Sequence, residues 1–297
     1  MILLTGASGQ LGHALELRLA ARGEDFKALR RPAFDFEKPE TITACFDQAR
    51  PSLVINAAAY TAVDQAQNEP KAAEAGNHSG PLILAQLCAA SNIPFIHVST
   101  DYVFDGTKGA PYLESDPTNP TGVYGTTKRD GEAAILATNA KAIILRTSWV
   151  YSDFGKNFAK TMITAGRKMP ILRVVADQRG APTAAGDLAD AILHIVEQIR
   201  KTGWRANYRG IFHATSAGET TWYGLAAAIF AEAAKHNYQP PELQPIATSE
   251  WPTPTRRPPD SRLDCTKLAE VFGVRLPEWD RALKDNVVEN LLKEQSS

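Results

Sequence analysis

Through its first half the chain alternates short apolar runs with longer stretches whose apolar side chains return every three or four positions. MILLT (1–5) gives way to QLGHALELRLAARG (10–23), where Leu11, Leu15 and Leu19 fall on one helical stripe. DFKALR (25–30), SLVINAAA (52–59), PFIHVST (94–100) and AIILRTSWV (142–150) repeat the strand pattern. Helices are predicted over about 39–50, in a segment ending near Ser91, and from Tyr124 onward. Runs that are apolar at every position, not every second one, suit strands covered on both faces. That is the parallel sheet of βαβ units. Such sheets take ligands at the carboxyl ends of their strands, where Thr5, Asn56, Thr100 and Thr147 stand. After about Trp149 the pattern loosens. Helices are predicted near 156–168, 185–200, 221–236 and 279–293, with short strands ILRVV (171–175) and GIFHA (210–214) and a Pro-punctuated loop, PTPTRRPPDSRLD (252–264). The expected fold class is α/β: a doubly wound parallel sheet over 1–149, then a smaller α/β lobe over 150–297 whose segments can interleave with the sheet.

Composition narrows the function by exclusion. A formal charge of −1 is wrong for a general nucleic-acid binder. Cys45, Cys88 and Cys265 form no CxxC pair, and the six histidines show no HExxH, so neither a disulfide framework nor a zinc site is expected. No run reaches the ~18 apolar residues of a membrane span, and MILLTGASG is too short for a signal peptide. A cytoplasmic enzyme is expected, with no membrane or nucleic-acid partner. Asp64 and Glu69 lie in a polar stretch and read as solvated.

Three features carry chemistry. TGASGQLG (5–12) sets Gly6, Gly9 and Gly12 between a strand and a helix, where backbone can approach a pyrophosphate and the helix N-terminus favours its charge. The spacing is GxxGxxG rather than GxGxxG, and three glycines in such a turn can also be purely structural. The second strand ends Leu29-Arg30-Arg31 with no carboxylate for a ribose 2′-hydroxyl. Two guanidiniums suit a 2′-phosphate, which favours NADPH over NADH, although two solvated arginines would read the same way. Finally, Tyr124 and Lys128 share a helix face at i and i+4, with Thr100 upstream at a strand end. A free tyrosine holds its proton at neutral pH. A nearby ammonium lowers its pKa, and a threonine hydroxyl can donate to the same developing alkoxide. Alone, a Tyr-xxx-Lys pair is weak evidence. GNHSG (76–80) displaces the serine of a hydrolase elbow and supports no such reading.

Together these features resemble the extended short-chain dehydrogenase/reductase family. NAAAYTAVDQAQNEP (56–70), STDYVFDG (99–106), NPTGVYGTTKRDGE (119–132), RTSWVYSDFGKNFAKTM (146–162), DQRGAPT (177–183) and PTPTRRPPDSRL (252–263) are similar, within it, to dTDP-4-dehydrorhamnose reductases. The resemblance implies a Rossmann-like fold and NADPH-dependent reduction of a nucleotide-sugar C4 ketone. It implies Thr100, Tyr124 and Lys128 as catalytic residues, Tyr124 and Lys128 also meeting the cofactor. Gly6, Gln10 and Leu11 fall at the pyrophosphate, Asp35 and Phe36 on the adenine side, and Ala57, Ala58 and Ala59 in the loop after the third strand. Thr61, Asp101, Tyr102, Trp149, Asn157 and Gln178 fall on the sugar-nucleotide side. Trp149 at a strand end could stack on a pyranose or belong to the core. A dehydratase or epimerase on the same fold is the near alternative. Elimination calls for the Asp-Glu pair that follows the Thr in dehydratases, and Tyr102 follows Asp101 here. A non-catalytic NADP-binding regulatory subunit is the distant one. Some relatives dimerise through magnesium held by three glutamates. Ala14 and Gly186 occupy two of those positions and only Glu289 matches, with Glu16 and Asp187 on other helix faces. No metal and a monomer are expected.

Overall fold

The structure is a computed structural model that describes residues 1–138 and 140–294, so the end of the expected second lobe, 295–297, lies outside it. Six parallel strands form the central sheet: β1 (Ile2–Thr5), β2 (Phe26–Leu29), β3 (Leu53–Asn56), β4 (Pro94–Thr100), β5 (Lys141–Thr147) and β6 (Gly210–His213). Their order is β6-β5-β4-β3-β1-β2. The chain runs outward from β1 to β2, then returns across β1 to β3, so the order reverses between β1 and β3. Crevices in doubly wound sheets open at such a reversal.

The unbroken apolar strands are explained by their two faces. Ile2 and Leu4 of β1 and Ile143 and Leu145 of β5 point to one side, under helices α1 (Gln10–Ala21) and α6 (Ala185–Thr202). Leu3, Ala142 and Ile144 point to the other, under α2 (Pro39–Ala49), α3 (Gly80–Ala90) and α4 (Val123–Ala137). Each fully buried Leu or Ile contributes about 1.5–3 kcal/mol relative to exposure. A strand covered on both faces therefore stabilises the fold at every position. Pro39 begins α2 at a position where a missing N–H costs nothing.

The second half supplies its own core, built from α5 (Phe158–Gly166), α7 (Trp222–Ala234) and α8 (Val288–Glu294) around Ile163, Ile229, Phe230 and Leu291. Ile171–Val175 pairs in parallel with Glu242–Ile246 beside it. Interleaving is extensive: β6 lies beyond residue 149 yet adds to the edge of the central sheet at β5, and α6 packs its Leu188, Ile192 and Val196 on α1. Chain order therefore does not follow layer order. Among the described residues no helix is long and apolar enough to cross a membrane.

Candidate active site

The carboxyl end of β1 turns sharply at Gly6, whose φ is +76°. A Cβ there would sit 2.5 Å from the backbone nitrogen of Ala58, and one on Gly12 would sit 2.0 Å from the Gly6 carbonyl oxygen. Both glycines are required by close approach of the turn to α1 and to the loop after β3. Gly9 is different: a Cβ would meet only the Gly6 carbonyl at 3.4 Å, so its outer side is open. Gly9 also caps α1 with no side-chain hydrogen bond, and no acid stands in the helix's first turn. An uncapped N-terminus beneath an open glycine fits a pyrophosphate. Gln10 reaches across to the second half, donating to the Val150 carbonyl at 3.2 Å and accepting from the Ser152 hydroxyl at 2.9 Å.

At the end of β4, Thr100 donates to Asp101 Oδ1 at 3.0 Å and accepts the backbone N–H of Tyr102 at 3.2 Å. Tyr124, in the first turn of α4, packs edge-on against Tyr102 with ring centroids 5.5 Å apart. Burial pushes the Tyr124 phenol well above its ordinary range. The Thr100 hydroxyl opposes the shift, and the charge of Asp101 adds to it. Lys128, one turn on, is 1% exposed, and burial lowers its amine to about 8 against the pull of Glu132. Its Nζ donates to the Val98 carbonyl at 2.6 Å. Desolvation is the largest influence on the Tyr124 phenol, and it works against the lowering expected from Lys128. Asp101 is equally buried, and loss of solvent raises its carboxyl to about 6. The Ser261 hydroxyl favours the charged form, though Asp101 Oδ2 and Ser261 Oγ do not meet as a formed hydrogen bond. Buried acid, hydroxyl, phenol and amine at one strand end make a constellation suited to proton delivery in a site kept from water.

The chain matches the family model described as the RmlD substrate binding domain over residues 1–292. It is 42% identical over 284 residues to a dTDP-4-dehydrorhamnose reductase of Sinorhizobium fredii, covering 95% of both chains. The chain belongs to this reductase family. A solved dTDP-4-dehydrorhamnose reductase of Clostridium acetobutylicum superposes with a TM-score of 0.89 at 35% identity, covering 98% of this chain and 99% of that one. The enzyme of Bacillus anthracis, solved in complex with NADP, gives 0.86 at 30% identity over 99% and 98%.

Against that family background, the other expected site residues fall into two groups. Ala57 and Ala58 line the turn against Gly6, with Ala59 following them in a partly buried loop and Thr61 exposed beyond it. Leu11 packs in the core beneath the glycine turn. Phe36 is buried among Phe34, Ile42 and Leu84, so its ring serves the core, while Asp35 stays partly accessible and meets Arg31 at 3.2 Å. Arg30 and Arg31 are not bare. Glu16 takes Arg30 through both carboxylate oxygens, and Asp35 and Glu37 take Arg31. Trp149, at φ +48°, stacks one face on Trp222 at 3.7 Å, and Trp222 donates to Gln178 at 3.1 Å. Gln178 is buried and passes the network on to Thr248. Asn157 caps α5, its amide oxygen accepting the Lys160 N–H and its NH₂ donating to the Ser152 carbonyl at 2.8 Å.

Sequence reading missed the strap over this site. Arg257 of the Pro-punctuated loop donates to the Tyr102 hydroxyl at 3.1 Å and to Asp64 at 2.6 Å, and Asp64 also accepts the Thr255 N–H. Asp64 is thus an ion-pair partner while still partly solvated, and Glu69, exposed as expected, takes the Tyr60 hydroxyl. No signal within either segment announces a pair 193 residues apart. A cleft of about 550 Å³ lies between α1 and residues 281–294, with Gln10 and Ser152 at its margin. Ala14 and Gly186 line it, and Arg18 fills the place a larger residue 186 would take, 2.7 Å from its Cβ position.

Proposed function

We propose that this chain reduces the C4 ketone of dTDP-4-dehydro-L-rhamnose to dTDP-L-rhamnose with NADPH. The observation that carries the reading is the clustering of Thr100, Tyr124 and Lys128 at the end of β4, in a chain of the reductase family. When bound, the reduced nicotinamide supplies the hydride.

The protein's own part is orientation and proton delivery. Gly6, Gly9, Gln10 and Gly12 hold the pyrophosphate over the α1 N-terminus, with Ala57, Ala58 and Ala59 as the neighbouring wall. Arg30 and Arg31 exchange their carboxylate partners for the 2′-phosphate, which makes NADPH preferred and NADH usable. Tyr124, kept protonated by burial, gives its proton to the oxygen that becomes the C4 hydroxyl. Thr100 donates to the same oxygen, and Lys128 serves both the ribose and Tyr124. Asp101, Tyr102, Trp149 and Gln178 form the sugar side, with Arg257 bracing Tyr102. Residues 1–149 supply the cofactor half together with Asp101, Tyr102 and Trp149 of the sugar side. Residues 150–297 add Gln178 and Arg257 as the rest of the substrate lobe, apart from β6 and α6, which join the first layer. The guanidinium of Arg18 stands where a metal site would need oxygen ligands, so we read the chain as a monomer without structural magnesium. The test is NADPH oxidation with the dTDP keto-sugar offered beside its UDP and GDP counterparts. Turnover confined to a different base or sugar would overturn the substrate, and absence of any turnover would favour a non-catalytic role.

A further inference from the structure

A buried chain of polar side chains joins the β1 and β3 ends to α4, and the proton delivery described above does not use it. The Thr5 hydroxyl donates to Asn56 Oδ1 at 2.5 Å, and the backbone N–H of Ala58 donates to the same oxygen at 3.1 Å. Asn56 Nδ2 lies 2.8 Å from His97 Nδ1, and His97 Nε2 lies 3.4 Å from Lys128 Nζ. Thr5, Asn56 and His97 have no exposure at all.

The directions of these bonds follow from what each atom can do. A backbone N–H only donates, so the amide oxygen of Asn56 is fixed at the Ala58 end and its NH₂ faces His97. Nδ1 of His97 must then accept. Burial, with the Lys128 charge beside it, holds the ring far below its ordinary pKa and therefore neutral. A neutral ring accepting at Nδ1 carries its proton on Nε2. That N–H points at Lys128. An ammonium has donors only, so the contact becomes a hydrogen bond when Nζ offers a lone pair.

We propose that His97 is a positioning residue for Lys128: its Nε2–H, aimed by Asn56, favours the amine over the ammonium and seats Nζ against the Val98 carbonyl. The inference rests on the assignment of Lys128 to the cofactor and Tyr124. The other groups facing Nζ do not cancel it. Glu132, one turn further along α4, favours the ammonium, but its carboxylate is shared with Arg146 of β5 and Ser99 of β4. Tyr124, one turn earlier on α4, holds its proton, and the nearby charge of Asp101 acts on that phenol. The phosphates of a bound dinucleotide shift the balance toward the ammonium. Cofactor binding therefore takes up a proton, and affinity falls as pH rises through the free-chain value near 8.

Two measurements on the full chain test this. In cofactor-free protein labelled with ¹⁵N-histidine, the His97 ring, assigned by its loss in His97→Gln, is expected to show the Nε2–H tautomer throughout pH 6–9. An Nδ1–H or doubly protonated ring overturns the proposal. NADPH fluorescence titrations across the alkaline range then compare the parent with His97→Gln, whose amide oxygen can accept from an ammonium. The alkaline midpoint is expected to rise by roughly one pH unit. An unmoved midpoint, with or without a uniform loss of affinity, assigns His97 a merely structural role and overturns the proposal. If the parent binds no NADPH at any pH, the reductase reading fails instead, and the ring spectrum decides His97 by itself.

Discussion

Replacing Glu132 by Gln removes one half of a buried ion pair that underlies the catalytic helix. Glu132 and Arg146 are 2% and 3% exposed, with Arg146 Nε at 2.9 Å and Nη2 at 2.6 Å from the two carboxylate oxygens. Ser99 donates to the same carboxylate, while Arg146 Nη1 already lacks a partner. A guanidinium left uncompensated at this depth costs about 3–5 kcal/mol. A chain of 297 residues unfolds with an entropy of about 0.6 kcal/mol per kelvin near its melting temperature. Scanning calorimetry of Glu132→Gln should therefore show a Tm lower by about 5–8 °C. Glu132→Leu combined with Arg146→Met should recover most of the loss, because an apolar pair of similar volume leaves no buried charge. Glu132 also favours the ammonium of Lys128, so the single variant should move the alkaline fall in NADPH affinity to lower pH. A Tm within 1 °C of the parent, or a double variant as unstable as the single one, would refute the reasoning.

Tyr124→Phe keeps the ring packed on Tyr102 but removes the proton, and turnover should fall by roughly 10²–10⁴ with NADPH affinity and Tm little changed; unchanged turnover would remove Tyr124 from its role. Asp101 is held at about 6 in the fold against 3.8 outside it, so the folded chain binds the extra proton between those values and loses stability as pH rises through 4–6. Asp101→Asn should therefore unfold at higher denaturant at pH 7 than the parent, by about 2–3 kcal/mol, with a flatter acid profile; equal stability at pH 4 and 7 in the parent would contradict the sign. Arg30→Ala with Arg31→Ala should narrow the preference for NADPH over NADH in paired kinetics, and a parent already indifferent would leave both guanidiniums to Glu16, Asp35 and Glu37. EDTA should leave the light-scattering mass at that of one chain, and a dimer that dissociates on chelation would overturn the monomer.

What the sequence made legible was whatever local pattern determines. Strands apolar at every residue announced a sheet covered twice, and Thr5, Asn56, Thr100 and Thr147 do close their strands. The Tyr124–Lys128 spacing fixed one helix face, and the structure brings that face beside Thr100. What stayed hidden depends on long-range pairing. GIFHA reads as any short strand, and only the register with Ile143–Arg146 makes it the sheet's edge. Arg30 and Arg31 looked bare because Glu16, the partner of Arg30, comes from the preceding helix. Nothing in the local pattern around Trp149 announces that Trp222 lies against one face of its indole. His97 was invisible for a different reason. One histidine within an apolar strand carries no signal of its own, and its meaning comes from Asn56 on one side and Lys128 on the other.

The late arrival of β6 and α6 sets a timetable for biosynthesis. A ribosome adds about 5–20 residues each second, so β1–β5 emerge seconds before Gly210 can dock on Ile143. During that interval the hydrogen-bonding edge of β5 is open, and Leu11, Leu15 and Leu19 on α1 still await Leu188 and Ile192. An open strand edge beside an uncovered apolar helix is a template for pairing with another nascent chain. A truncated product ending near Trp149 would keep that edge for its whole lifetime and would be a substrate for chaperones or proteases, not a cofactor-binding fragment.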